Sequence, residues 1–126
     1  MHTGTCLCGA VRFEVAGALS PPGACHCSMC RKQSGHFWAS TEVSRSAVTI
    51  HGGDRLTWFR SSDKVRRGFC ATCGSVLFWD AIRKDTIAVA MGAFDGPTGI
   101  KLANHIFVAE KGDYYDLADG LPQNQH

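Results

Sequence analysis

Short apolar stretches recur along the chain between turn residues, and β-branched and aromatic side chains are over-used within them. Ala10 to Val15 alternates apolar and polar positions with the period of two expected of a half-buried strand. The same reading predicts strands over Phe37 to Thr41, Val48 to His51, Leu56 to Arg60, Lys64 to Phe69, Val76 to Trp79, Thr86 to Met91 and Ile106 to Val108. His51-Gly52-Gly53-Asp54, set between two of these, predicts a hairpin turn. Helical spacing is confined to about one turn near Ser28 to Gln33. The expected class is therefore all-β, built from several short sheets. On that map Cys6, Cys8, Cys70 and Cys73 fall at strand ends, whereas Cys25 to Cys30 fall in a loop after Pro21-Pro22-Gly23. Loops held by a rigid scaffold are where reactive groups are usually presented.

Composition narrows the class without changing it. A length of 126 residues fits one domain spanning 1–126, large enough for a single core and small enough to gain from a metal staple. No apolar run is long enough to cross a bilayer, so no membrane is expected. The formal net charge of +2 is too weak to argue for nucleic acid. Lys64, Arg66 and Arg67, with Arg60 nearby, are spaced like the outer face of a strand and read as solvated. Trp38, Trp58 and Trp79 read as core or rim packing on strands. The polar tail from Gly120 to His126 is expected to fray.

Cysteine spacing carries the chemistry. The seven cysteines fall as Cys6-x-Cys8, Cys25-x-Cys27-x-x-Cys30 and Cys70-x-x-Cys73. A disulfide framework normally uses an even count in a secreted chain. The count here is odd, and the first residues carry no basic region followed by an apolar run, so a reducing, cytoplasmic location is expected. The outer pairs together supply the four thiolates of a closed tetrahedral zinc site, and each ends in a glycine, Gly9 or Gly74, suited to a left-handed knuckle turn. Such a site contributes directly to folding, on the order of 10 kcal/mol in zinc-finger peptides.

The middle cluster offers three thiolates and leaves a fourth position open. Three thiolates around zinc give a net charge of about −1 and a poor Lewis acid toward water, but a setting in which a small thiol loses its proton and becomes nucleophilic. The alternative is a second structural zinc, closed by His26, His36, His105 or Asp95. His26, wedged between two proposed ligands, is read as pointing away from the metal, and His105 as a satisfied structural histidine.

Beyond spacing, the chain resembles the glutathione-dependent formaldehyde-activating enzyme family, which includes relatives such as centromere protein V. The resemblance rests on Gly4-Thr5-Cys6-Leu7-Cys8-Gly9-Ala10-Val11, on Cys25-His26-Cys27-Ser28-Met29-Cys30-Arg31-Lys32-Gln33-Ser34-Gly35, and on Arg67-Gly68-Phe69-Cys70-Ala71-Thr72-Cys73-Gly74-Ser75. Met91-Gly92-Ala93-Phe94-Asp95, His105-Ile106-Phe107-Val108 and Asp119-Gly120-Leu121-Pro122-Gln123 extend it toward the C-terminus. The resemblance implies a conical all-β fold of short antiparallel sheets stapled by zinc, like that of methionine-R-sulfoxide reductases and a Rab-associated chaperone. It implies two zinc ions: a structural one on Cys6, Cys8, Cys70 and Cys73, and a catalytic one on Cys25, Cys27 and Cys30. The implied activity joins glutathione to formaldehyde as S-hydroxymethylglutathione, formally a carbon-sulfur lyase reaction in reverse. Arg31 and Lys32, directly after the third ligand, are expected to hold the carboxylates of glutathione. A methionine-sulfoxide reductase would need a nucleophilic cysteine in the C-terminal half, and no cysteine follows Cys73. The competing expectation is a non-enzymatic zinc module that binds a protein partner or chromatin.

Overall fold

In the computed structural model, which describes residues 1–126, the chain opens as an antiparallel pair, β1 (His2–Thr5) and β2 (Arg12–Val15). Alternation in β2 buries Phe13 and Val15 and leaves Arg12 facing water, as the sequence pattern requires. β1 lacks any apolar alternation and went unpredicted. Its place depends on Gly4, where a Cβ would lie 2.2 Å from the Phe13 ring, so the close approach of the two strands needs a glycine.

Next along the chain come β3 (Gly23–Cys25), helix α1 (Ser28–Ser34), β4 (Trp38–Ser44) and β5 (Val48–His51). They are followed by β6 (Leu56–Arg60), β7 (Val65–Cys70), β8 (Val76–Ala81), β9 (Thr86–Ala90) and β10 (Asn104–Ile106). β1, β2 and β5 form a three-stranded sheet, and the other seven run in the order β10-β3-β4-β9-β8-β7-β6. Pairing is antiparallel throughout except between β10 and β3. The all-β expectation therefore holds, with one parallel edge added.

The predicted hairpin at His51 to Asp54 does not form. β5 ends in the small sheet and β6 begins in the large one, with a 3-10 turn at Gly53–Arg55 between them. A Gly-Gly turn flanked by alternating strands reads as a hairpin from sequence, and only the partnering of β5 with β2 reveals a crossing between sheets.

Consecutive residues of β9 separate two hydrophobic clusters, because successive strand side chains point to opposite faces. Ile87 and Val89 join Phe13, Val15, Leu77 and Phe78 in the main core, where Phe13 meets Phe78 and Phe94 edge-on at ring distances of 5.5 and 5.4 Å. Removing so completely buried a ring as Phe13 costs about 3 to 5 kcal/mol in comparable cores. Ala88 and Ala90 face the other way and pack with Cys30 and Trp38. Alanine at both positions leaves room on that face, and the Cys25–Cys30 segment occupies it.

The tail does not fray. Asn124 donates its backbone N–H to the His105 carbonyl, His105 donates to Pro122, and Val108 and Ala109 donate to Asn124 and Gln125. Backbone pairing that no side-chain pattern encodes holds a polar segment along β10.

Candidate functional site

Two knuckle turns bring the outer cysteines together. In the first, Gly9 donates to the Cys6 carbonyl and Cys6 donates to the Val11 carbonyl; in the second, Gly74 donates to Cys70 and Cys70 donates to Ser75. Gly9 and Gly74 have φ of 81° and 79°, the left-handed conformation predicted for them. The Sγ atoms of Cys6, Cys8, Cys70 and Cys73 all lie within 4.8 Å of one another. Cys6 to Cys8 is 3.6 Å and Cys8 to Cys70 is 3.7 Å, far longer than a disulfide bond of about 2.05 Å. A tetrahedral zinc with Zn–S bonds of about 2.3 Å sets its sulfurs about 3.8 Å apart, so the four fit a closed zinc site.

Ser75 couples the two knuckles, accepting from the Leu7 N–H at 2.9 Å while its hydroxyl lies 3.2 Å from Cys73 Sγ. That hydroxyl, with the N–H groups of Ser75 and Cys8, lowers the Cys73 pKa to about 5. Burial opposes ionisation at Cys6, but hydrogen bonds from the Val11 N–H and the neighbouring thiols outweigh it and hold its pKa below the ordinary value.

The Cys25, Cys27 and Cys30 sulfurs also lie within 4.8 Å of one another. The expected loop is in fact a strand, a turn and a helix. Cys25 ends β3, in register with Trp38 of β4 and Ile106 of β10. Cys27 is the N-cap of α1, with its sulfur accepting the Cys30 N–H at 3.3 Å. Cys30, one turn in, is 3% exposed. Gly35 closes the helix in the left-handed conformation. The helix matches the one turn of helical spacing near Ser28 to Gln33, whereas the Gly-Ala-Cys run of β3 is too short to show any periodicity.

His26 points away from the trio, as expected. Its Nδ1 accepts from the Tyr115 hydroxyl, its Nε2 lies 2.9 Å from His105 Nδ1, and His105 Nε2 lies 2.8 Å from Asp119 Oδ2. Burial, then the nearby His105, lowers the His26 pKa, so its ring is neutral. The Leu121 N–H, followed by His105, lowers the Asp119 pKa, which makes that carboxylate an acceptor only. One arrangement of hydrogens then satisfies the chain: Tyr115 donates to His26, His26 to His105, and His105 to Asp119. His36 Nδ1 meets the Tyr114 hydroxyl at 2.6 Å, and Asp95 accepts from Thr5 beside the other cluster. None of the four protein groups considered as closing ligands joins the three sulfurs.

A cavity of about 570 Å³ opens over the trio, floored by the three cysteines and walled by Trp38, Trp79 and Ala88. Two of the tryptophans assigned to packing thus also line the site. Trp58 instead stacks near Phe78 and carries the Arg66 guanidinium 3.9 Å above its ring. A hollow of about 760 Å³ beside Cys6 and Cys73 adjoins a cluster that already holds four donors. Arg31 and Lys32 lie on α1 outside the cavity lining, and Arg31 donates its Nε to the Glu110 carbonyl. The cations that do line the cavity are Arg67 and Lys84.

Arg67 is the residue that the sequence reading missed. It is 6% exposed rather than solvated, and its Nη1 lies 3.4 Å from Cys30 Sγ. The only sequence signal was its place three positions before Cys70. The Cys25 thiol, opposed by burial and aided by Arg67, lowers the Cys30 pKa to about 6; its hydrogen bond to Cys30 raises that of Cys25. Cys30 is thus held as a thiolate at neutral pH, which is the form a metal binds.

A family model described as glutathione-dependent formaldehyde-activating enzyme matches residues 1–110. A curated protein of Halomonas elongata, provisionally named for the same activity, is 34% identical over 83 residues, covering 60% of this chain. The match takes in 53% of that relative, so the chain spans about half its length. A crystal structure of a Rhodobacter sphaeroides protein superposes with a TM-score of 0.65 at 25% identity, over 75% of this chain and 89% of that one.

Proposed function

The chain belongs to the glutathione-dependent formaldehyde-activating enzyme family, and from that premise we propose that residues 1–126 act as one zinc-binding domain that adds a small thiol, glutathione first, to a small aldehyde such as formaldehyde. The observation that carries this reading is the trio: three sulfurs within 4.8 Å of one another at the floor of a cavity, with no fourth donor from the chain. Cys6, Cys8, Cys70 and Cys73 hold a structural zinc, and Cys25, Cys27 and Cys30 hold a second one. When bound there, zinc supplies an open position at which a thiol is a nucleophile at neutral pH.

The protein groups have separate tasks. Trp38 and Trp79 narrow the cavity and exclude water from the reacting pair. On this reading Arg31 and Lys32, on α1 outside the cavity lining, meet glutathione carboxylates, with Lys84 a third cation in the lining itself. In the addition, a C–S bond forms, the carbonyl π bond breaks, the thiol proton leaves and the carbonyl oxygen gains one. The balance needs no oxidant, and the reverse direction is a carbon-sulfur lyase reaction.

Exchange NMR of glutathione with formaldehyde tests the reading. Zinc-replete protein should speed hemithioacetal exchange above the uncatalysed background, and Cys30→Ser should abolish the acceleration. No acceleration with any of several thiols would favour the non-enzymatic binding module. For the rim cations, Arg31→Ala should weaken glutathione binding by about 1 to 3 kcal/mol in calorimetry with zinc content unchanged. Unaltered affinity in Arg31→Ala and Lys32→Ala would move the carboxylates elsewhere.

A further inference from the structure

Arg67 poses a charge problem that its basic neighbours, Arg66 on β7 and Arg60 on β6, do not. Arg66 pairs with the Asp80 carboxylate at 2.7 Å and Arg60 stands in solvent, whereas Arg67 is buried and meets no carboxylate. Its Nε donates to the Ser61 hydroxyl and its Nη1 to Gln33 Oε1, both at 3.3 Å. Those acceptors satisfy N–H groups but are neutral. A guanidinium does not deprotonate in proteins, and a buried charge without a counter-charge costs several kcal/mol. Among its hydrogen-bond partners, the one able to carry negative charge is Cys30 Sγ.

Charge at the site can be counted on the reading of the trio as a zinc centre, on which this inference rests. Three thiolates and one Zn²⁺ sum to about −1, and an added thiolate takes the sum to about −2. A neutral fourth ligand such as water leaves it unchanged. Accumulating a second negative charge in a half-enclosed cavity is unfavourable unless a fixed positive charge stands beside it. Arg67 stands there, held from three sides by Ser61, Gln33 and Cys30.

We propose that Arg67 is a charge-balancing and positioning residue that makes the Cys25–Cys27–Cys30 centre favour an anionic thiolate over neutral water as its fourth ligand. It acts through Cys30 and through the field in the cavity rather than by gripping the rest of the substrate. The preference therefore extends to thiols that carry no carboxylate, which separates it from the rim cations.

The test uses zinc-replete protein and two probes, 2-mercaptoethanol and glutathione, with binding followed by calorimetry and zinc measured in every sample. Arg67→Met should keep its zinc and weaken both thiols by about tenfold to a hundredfold, the range for a hydrogen bond to a charged group. Arg67→Lys, which keeps the charge and loses the fork, should recover most of that affinity. Rescue by lysine is not expected of a purely structural arginine whose bonds are to neutral acceptors. Should Arg67→Met not fold, Arg67→Lys and Arg67→Gln decide: the lysine variant binds thiol and the glutamine variant loses it. Equal thiol affinity in wild type and a zinc-loaded neutral variant overturns the proposal while leaving the zinc site intact. A loss confined to glutathione also overturns it, because a carboxylate clamp would then be the cause. If zinc-replete wild type binds neither probe, the open-site reading fails, and this proposal fails with it.

Discussion

Asp80 is a carboxylate enclosed by two guanidiniums, with Arg45 at 2.6 Å and Arg66 at 2.7 Å and its own side chain 1% exposed. Burial would raise its pKa, but hydrogen bonds from Arg45 and Arg66 outweigh burial and hold the carboxyl below its ordinary value. A depressed carboxylate stabilises the fold at pH values above the unfolded-chain pKa, and that contribution is lost as pH falls through the folded one. Stability should therefore decline below about pH 4. Asp80→Asn should cost about 2 to 3 kcal/mol at pH 7, less than a fully buried pair because both arginines are more than a third exposed. Its acid decline should be correspondingly flatter; thermal denaturation of both proteins from pH 3 to 7 checks this. The cysteines divide in a similar way. Cys73→Ser should lose the fold, while Cys30→Ser should stay folded by circular dichroism and lack one zinc; equal unfolding of the two would remove the distinction between the clusters. The two cysteine clusters were legible because cysteine spacing is written in the sequence itself. Arg67 was not, since a period of two says which residues share a face but not which face carries the reacting centre.

At the scale of elements, the trio depends on how β3 meets α1 and on what holds that junction from behind. His26 lies in the junction, and the chain from Tyr115 through His26 and His105 to Asp119 fixes it from the side away from the cavity. His105→Leu removes the acceptor of the buried His26 Nε2–H, which should cost about 2 kcal/mol. The same change should raise the rate at which chelator strips the trio while leaving the Cys6–Cys73 cluster loaded; unchanged zinc loss would show that the chain stabilises the fold without positioning the ligands. Removing residues 121–126 should act similarly, since it deletes the carbonyls of Pro122, Asn124 and Gln125 that accept from His105, Val108 and Ala109, and the Asn124 N–H that donates to His105. Strands of alternating apolar residues were legible. β1 and β3 were not, because they are built from His, Thr, Gly, Ala and Cys and are defined by their neighbours, Phe13 and Trp38.

For the whole molecule, the two cysteine clusters differ in what their loss removes. The four-cysteine cluster joins the turn before β2 of the small sheet to the end of β7 in the large one, so it ties the two sheets together. The trio rests on the opposite face of the large sheet, against Trp38, Ala88 and Ala90, and secures no second sheet. Four sulfurs enclose a metal and leave no exchangeable position, whereas three leave one open to solvent and chelator. No helix is long and apolar enough to cross a membrane, and the fold class was legible from alternation and turn residues alone. The crossing from β5 to β6 was not, because it reflects which sheet each strand joins. Graded chelation of the zinc-replete protein, with released zinc and circular dichroism recorded together, tests the division most directly. The account predicts two steps: one equivalent of zinc released by mild chelator with the β-sheet spectrum and thermal transition retained, then a second released only as the fold is lost. Release of both equivalents in one step, coincident with unfolding, would contradict it.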